Sequence, residues 1–135
     1  MRAAFEPAVI VLQCGADALA HDPLGELNLT PQAFVECWRI VEAWGKPVLL
    51  LGGGGYNSPN TARCYALLTA AVLRRVLPDE IPEHDGLECY GPDFRLAVPA
   101  SHAPDRNDAA YLEALQRDAL RTIEKAAAKA ARAAS

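Results

Sequence analysis

An α/β fold built on parallel strands is what this 135-residue sequence predicts, and three observations predict it. Short uncharged runs rich in β-branched and aliphatic residues occur twice, at 8–12 and at 48–51, the pattern of strands covered on both faces. Between them lies a segment with helical spacing and clear end signals, so that strand, helix and strand read as one βαβ unit. A run of glycines follows the second strand and leads into another helical stretch, as at the rim of an α/β sheet.

Each element can be justified in order. Ala8 to Leu12 forms the first strand and ends at Gln13-Cys14-Gly15. The first helix starts with Thr30 as N-cap and Pro31 in its first turn. It carries Phe34, Cys37, Trp38, Val41 and Trp44 along one stripe and stops at Gly45. Val48 to Leu51 is the second strand. Ser58 as N-cap and Pro59 open a second helix, with Ala62, Tyr65, Thr69, Leu73 and Val76 as its stripe and Pro78 as its stop. Pro78, Pro82, Pro92, Pro99 and Pro104 then forbid a long helix and predict an irregular stretch, with one short strand at Phe94 to Val98. The alanine-rich segment from 109 onward predicts a closing helix with Leu112, Leu115, Ala119 and Ile123 on one face. Its cations Lys125, Lys129 and Arg132 suit the negative C-terminal end of the helix dipole.

Composition excludes several classes. With 51% hydrophobic residues the chain is no disordered segment, and one domain's worth of core is expected. Thirteen basic residues against seventeen acidic ones, net charge −4, argue against direct nucleic-acid binding. No apolar run approaches the roughly 20 residues of a membrane span, and no leader pattern follows Met1, so an intracellular protein without a membrane partner is expected. Cys14, Cys37, Cys64 and Cys89 form no CxxC pair and read as buried free thiols. Two strands alone leave both sheet edges unpaired, so the piece reads as incomplete.

Two constellations could carry chemistry. Asp17, His21 and Asp22 stand just beyond the first strand, where either a site or ordinary turn-capping carboxylates would be found. Gly52-Gly-Gly-Gly-Tyr56 follows the second strand at the same rim and presents a phenolic hydroxyl as donor. Nucleotide binding is not indicated, because the glycines fail the GxGxxG spacing and no GK[ST] is present.

These strings carry a family resemblance. VLQCGADALAHDPLGELNLTP, then PVLLLGGGGYNSPNTARC, then DEIPEH and YGPDF resemble the C-terminal third of class I zinc-dependent histone (lysine) deacetylases, of the arginase/deacetylase superfamily, from Val9 to Phe94. PDRND at 104–108 and Pro23 resemble the branch whose class I enzyme works without a large corepressor complex. The resemblance implies part of a parallel-sheet, three-layer arginase/deacetylase-type fold, with residues 1–108 as the C-terminal part of the deacetylase domain and 109–135 as an alanine-rich helix and basic tail. It implies that Asp22 is one of three zinc ligands and that Tyr56 is the catalytic tyrosine facing the acetyl carbonyl. Gly53 and Gly54 would line the acetyl-lysine channel, with Leu29 at its mouth. The implied cofactor is Zn2+, in the intact enzyme.

The departures are equally specific. Residue 21 is His where the family has Gly, and the family's Asp-x-His and His-His motifs, which supply the remaining zinc ligands and the general base, do not occur. His84 and His102 match no catalytic position. The expected function is therefore the C-terminal portion of a hydrolase that converts acetyl-lysine of histones or other proteins to lysine and acetate, inactive by itself and partnered by the remainder of the domain. That function implies a nuclear or cytoplasmic chromatin regulator acting in transcription repression. The alternatives are a catalytically dead remnant serving as an interaction or regulatory module, and a small α/β ligand-binding domain.

Overall fold

The computed structural model describes residues 6–133, and the side chain of Ala133 is not described. Residues 1–5 and 134–135, which hold the outer ends of the 1–108 and 109–135 segments, lie outside the described residues. The chain divides into two units, Ile10–His102 and a second made of Met1–Val9 with Ala103–Ser135.

The first unit is α/β. Strand β1 (Ile10–Gln13) lies parallel to β2 (Val48–Leu51), with Ile10 opposite Val48 and Gln13 opposite Leu51. Helix α1 (Pro31–Glu42) forms the crossover, and α2 (Ser58–Val72) follows β2 and packs on α1. The core joins Cys14, Ala16 and Leu19 to Phe34 and Trp38 of α1 and to Cys64 and Leu68 of α2. A parallel pair needs a crossover long enough to return, and α1 supplies it.

The strands depart from the expected double coverage. Residues alternate between half-buried and exposed along both strands, and Val11, Leu49 and Leu51 are exposed. Within this unit one face of the pair packs on the core while the residues of the other are exposed, the alternation of a half-covered sheet. β1 also begins at Ile10 rather than Ala8, because its first ladder bond runs from the Ile10 N–H to the Pro47 carbonyl.

Helix α1 begins at Pro31 with Thr30 extended at the N-cap, although the Thr30 hydroxyl makes no capping bond. Its end agrees with expectation: Gly45 takes φ +64°, the left-handed conformation in which Gly has no Cβ penalty. Phe34 and Trp38 are buried, but Cys37 is exposed, as is Cys89, so only Cys14 and Cys64 are buried thiols.

Helix α2 corrects three expectations. Asn57, not Ser58, is its N-cap, and the Asn57 side chain accepts the Asn60 N–H at 3.2 Å. The helix stops at Val72, well before Pro78. Arg74 takes φ +53°, and the Arg75 N–H returns to the Ala70 carbonyl at 2.8 Å, a Schellman-type closure. The buried face runs through Cys64 and Leu68, whereas Ala62, Thr69, Leu73 and Val76 of the expected stripe are exposed. The face that joins the core with α1 decides burial here, and Leu73 and Val76 lie beyond the end of the helix.

The irregular stretch is as expected except for its strand. Phe94 to Val98 forms none: Phe94 has φ +54°, and a single antiparallel bridge joins Arg95 to Glu80. Arg63 of α2 organises this stretch. Buried itself, it donates to the Arg95 and Tyr90 carbonyls at 2.7 Å and to Asn60 Oδ1 at 3.0 Å. In the second unit, α3 (Ala109–Ala133) is a single helix opened by Asp108, whose carboxylate accepts the Tyr111 N–H at 2.7 Å. On its expected apolar face Ile123 is half-buried, while Leu112 and Leu115 are exposed.

Candidate functional site

Both constellations emerge where the C-terminal ends of β1 and β2 deliver them. After β1 the chain makes a short 3-10 turn, Ala16–Ala18, and then a loop closed at its base by a bridge between Leu19 and Leu29. The Ala20 N–H donates to the Leu29 carbonyl at 2.8 Å, and the Leu29 N–H to the Ala18 carbonyl at 3.1 Å. Asp22 sits inside this closed loop, and Leu29, 41% exposed, stands at its edge. After β2 comes the glycine run, and α2 begins at once behind it.

The decisive contact joins the two loops. Asp22 Oδ2 accepts the Tyr56 backbone N–H at 2.7 Å, while Oδ1 accepts the Leu24 N–H at 2.9 Å and the Gly25 N–H at 3.0 Å. Asp22 is buried, with 9% of its surface exposed. Burial pushes its pKa up, but backbone N–H donors at Tyr56, Leu24, Gly25 and Asn57 outweigh it and hold the carboxyl below its ordinary value. The site therefore keeps an anion at neutral pH, beside an exposed tyrosine ring.

The glycine run makes close approaches that a side chain would block. A Cβ at Gly54 would lie 2.2 Å from Asp17 Oδ2, so the glycine run passes directly over that carboxylate. Gly55 combines φ +141° with a would-be Cβ 2.5 Å from Thr61 Oγ1. Asp17 thus lies against Gly54. His21 is exposed with φ +66°, a region where Gly has no penalty and His is tolerated better than most residues. The His21 carbonyl accepts the Asn57 Nδ2–H at 3.4 Å. His84 stands in the irregular stretch, its Nδ1 accepting the Gly86 N–H at 3.1 Å, and His102 is exposed.

A half-open apolar groove of about 490 Å3 lies elsewhere, between α2 and the irregular stretch, with Arg63, Ile81, His84 and Tyr90 in its lining. Asp22 and Tyr56 take no part in it. The chemistry-bearing residues are at the strand ends.

The histone deacetylase domain model matches residues 1–72, more than half of the chain. This chain belongs to the histone deacetylase family. It is 51% identical to histone deacetylase 8 of Xenopus tropicalis over 104 residues, which are 77% of this chain and 28% of that protein. It is 46% identical to histone deacetylase 8 of Danio rerio over 113 residues, 84% of this chain and 30% of that protein. To histone deacetylase 1 of Homo sapiens it is 42% identical over 112 residues, 83% of this chain and 23% of that protein. The chain spans less than a third of the length of each of these relatives. Asp22, Leu29, Gly53, Gly54 and Tyr56 all fall inside the stretch that matches the family model.

The donor set limits what this chain can hold alone. Among the described residues, no three His, Cys, Asp or Glu side chains come together as a metal site. Asp22 offers one carboxylate already accepting three backbone N–H bonds, whereas a catalytic zinc takes about three protein ligands. The described residues by themselves do not fit a zinc ion. Sequence reasoning did not anticipate the roles of Asn57 and Arg63. The Asn-Ser-Pro string carried a capping signal at either of its first two residues, and nothing in the helix pattern marked Arg63 as buried.

Proposed function

We propose that this chain carries the aspartate and tyrosine of a zinc-dependent lysine deacetylase site, and that the missing donors and general base belong to the remainder of a deacetylase domain. In the assembled site Asp22 is one zinc ligand, Zn2+ is the cofactor, and the substrate is an acetyl-lysine side chain of a histone or another protein. The observation that carries this reading is the 2.7 Å hydrogen bond from the Tyr56 amide to Asp22, which couples the two residues across the strand ends.

In the hydrolysis, water adds to the acetamide carbonyl carbon and the C–N bond breaks, leaving acetate and the lysine amine, with the proton lost by water transferred to the nitrogen. The task of this chain in that sequence is electrostatic. Tyr56 Oη donates a hydrogen bond to the carbonyl oxygen as negative charge develops on it, and a donor of this kind is worth about 10²–10³ in rate. Gly53 and Gly54 present backbone without side chains to the lysine methylenes, and Leu29 stands at the channel mouth. A nuclear or cytoplasmic role in chromatin regulation and transcription repression follows from histone substrates.

The reading is tested by fusing this chain to the N-terminal portion of a related deacetylase that contains the Asp-x-His and His-His motifs. The fusion is expected to bind one zinc and to deacetylate an acetyl-lysine peptide. Asp22→Ala in the fusion should lose zinc and turnover together. A fusion that folds and yet neither holds zinc nor turns over peptide would overturn the proposal.

A further inference from the structure

We infer that Tyr65 is a positioning residue for this site: from α2 its hydroxyl grips the Gly53 N–H and the Gly54 carbonyl and so holds the backbone that presents Tyr56. The Gly53 N–H donates to Tyr65 Oη at 3.2 Å, and Tyr65 Oη donates to the Gly54 carbonyl at 3.4 Å. One phenol thus closes a two-point bridge across a single dipeptide.

The need for such a bridge follows from the sequence of the run. Four consecutive glycines have the largest backbone freedom of any tetrapeptide and no side chains with which to pack. The segment is therefore held by bonds from outside. The Ala16 N–H donates to the Gly54 carbonyl, and Asp22 accepts the Tyr56 N–H. Both of these anchors come from the loop after β1. Tyr65 supplies the anchor from the opposite element, α2, and a Cβ placed at Gly52 would lie 3.2 Å from its oxygen, so the phenol abuts the run.

Packing alone does not fix the ring. Tyr65 is half-buried against the core, and a cavity of about 250 Å3 borders it, lined by Leu50, Leu51, Gly52, Leu68 and Thr69. With open space at its flank, the ring owes its position in part to the two hydrogen bonds. Loss of the hydroxyl releases the run and leaves the core in place.

The assignment rests on the proposed function insofar as the run serves acetyl-lysine, and its test has one arm that does not. In the 135-residue chain, Tyr65→Phe removes the hydroxyl alone. Hydrogen exchange followed by mass spectrometry should show the peptide containing Gly52 to Tyr56 exchanging up to about tenfold faster, with α1 peptides unchanged. Unchanged exchange in the glycine run, or equal acceleration in α1, would overturn the inference. In the deacetylase fusion, Y65F should lower kcat about fivefold at constant zinc content and constant melting temperature. Faster exchange with unaltered kcat in an active fusion would also overturn it. A fusion inactive with Tyr65 intact removes the proposed function, and the exchange arm still decides the clamp.

Discussion

Cys64 shows how a single residue reports on the core. It has no exposed surface, and its pKa is raised from 9.0 to about 12, first by burial and then by the neighbouring Cys14 thiol. The folded chain therefore keeps this proton when the unfolded chain loses it. The stability that Cys64 contributes is complete below about pH 9 and declines as pH rises from there toward 12, because the unfolded thiol ionises first. Urea midpoints of the wild type and Cys64→Ala, measured from pH 8 to pH 11, should converge as pH rises. A constant gap would mean that burial does not control this thiol. At the same scale, Asp22 and Tyr56 were legible from their strings, but the bond between a side-chain carboxylate and a backbone amide 34 positions away was not. Such a contact needs both loops in place, and no local pattern encodes it.

Elements were more legible at their starts than along their faces. Pro31 and Gly45 bracket α1 as their backbone preferences require, and the helix lies between them. The start of α2 could be read only to within one residue, because Asn57 and Ser58 are both capping types next to Pro59. The structure selects Asn57, so Asn57→Ala should cost about 1 kcal/mol while Ser58→Ala changes stability little. Chemical denaturation of the two variants checks this, and the reverse order would place the cap at Ser58. The buried face of α2 was misread because the expected stripe assumed a helix reaching Pro78, whereas the helix ends at Val72 and buries the face of Cys64 and Leu68. Within the helix Ala62 and Thr69 are exposed, whereas Cys64 and Leu68 are buried. Hydrophobic spacing reports what a helix can bury, and the neighbouring element decides what it does bury.

At the scale of the molecule, the α/β class and the parallel order followed from two apolar runs separated by one helix, and both are present. Double coverage of the strands did not follow, since Val11, Leu49 and Leu51 are exposed on the face away from α1 and α2. At the strand ends the Asp22 carboxylate meets the backbone of the exposed Tyr56, and among the described residues no three His, Cys, Asp or Glu side chains gather as a metal site. Both residues of the proposed site lie within the stretch that matches the family model. The proposed function gives Tyr56 a role as hydrogen-bond donor in the reaction, separate from the role it gives Asp22. The most direct test is the turnover of an acetyl-lysine peptide by the deacetylase fusion carrying Tyr56→Phe. Turnover is expected to fall by about two orders of magnitude or more with zinc content unchanged. Near-full turnover in that variant would contradict the account.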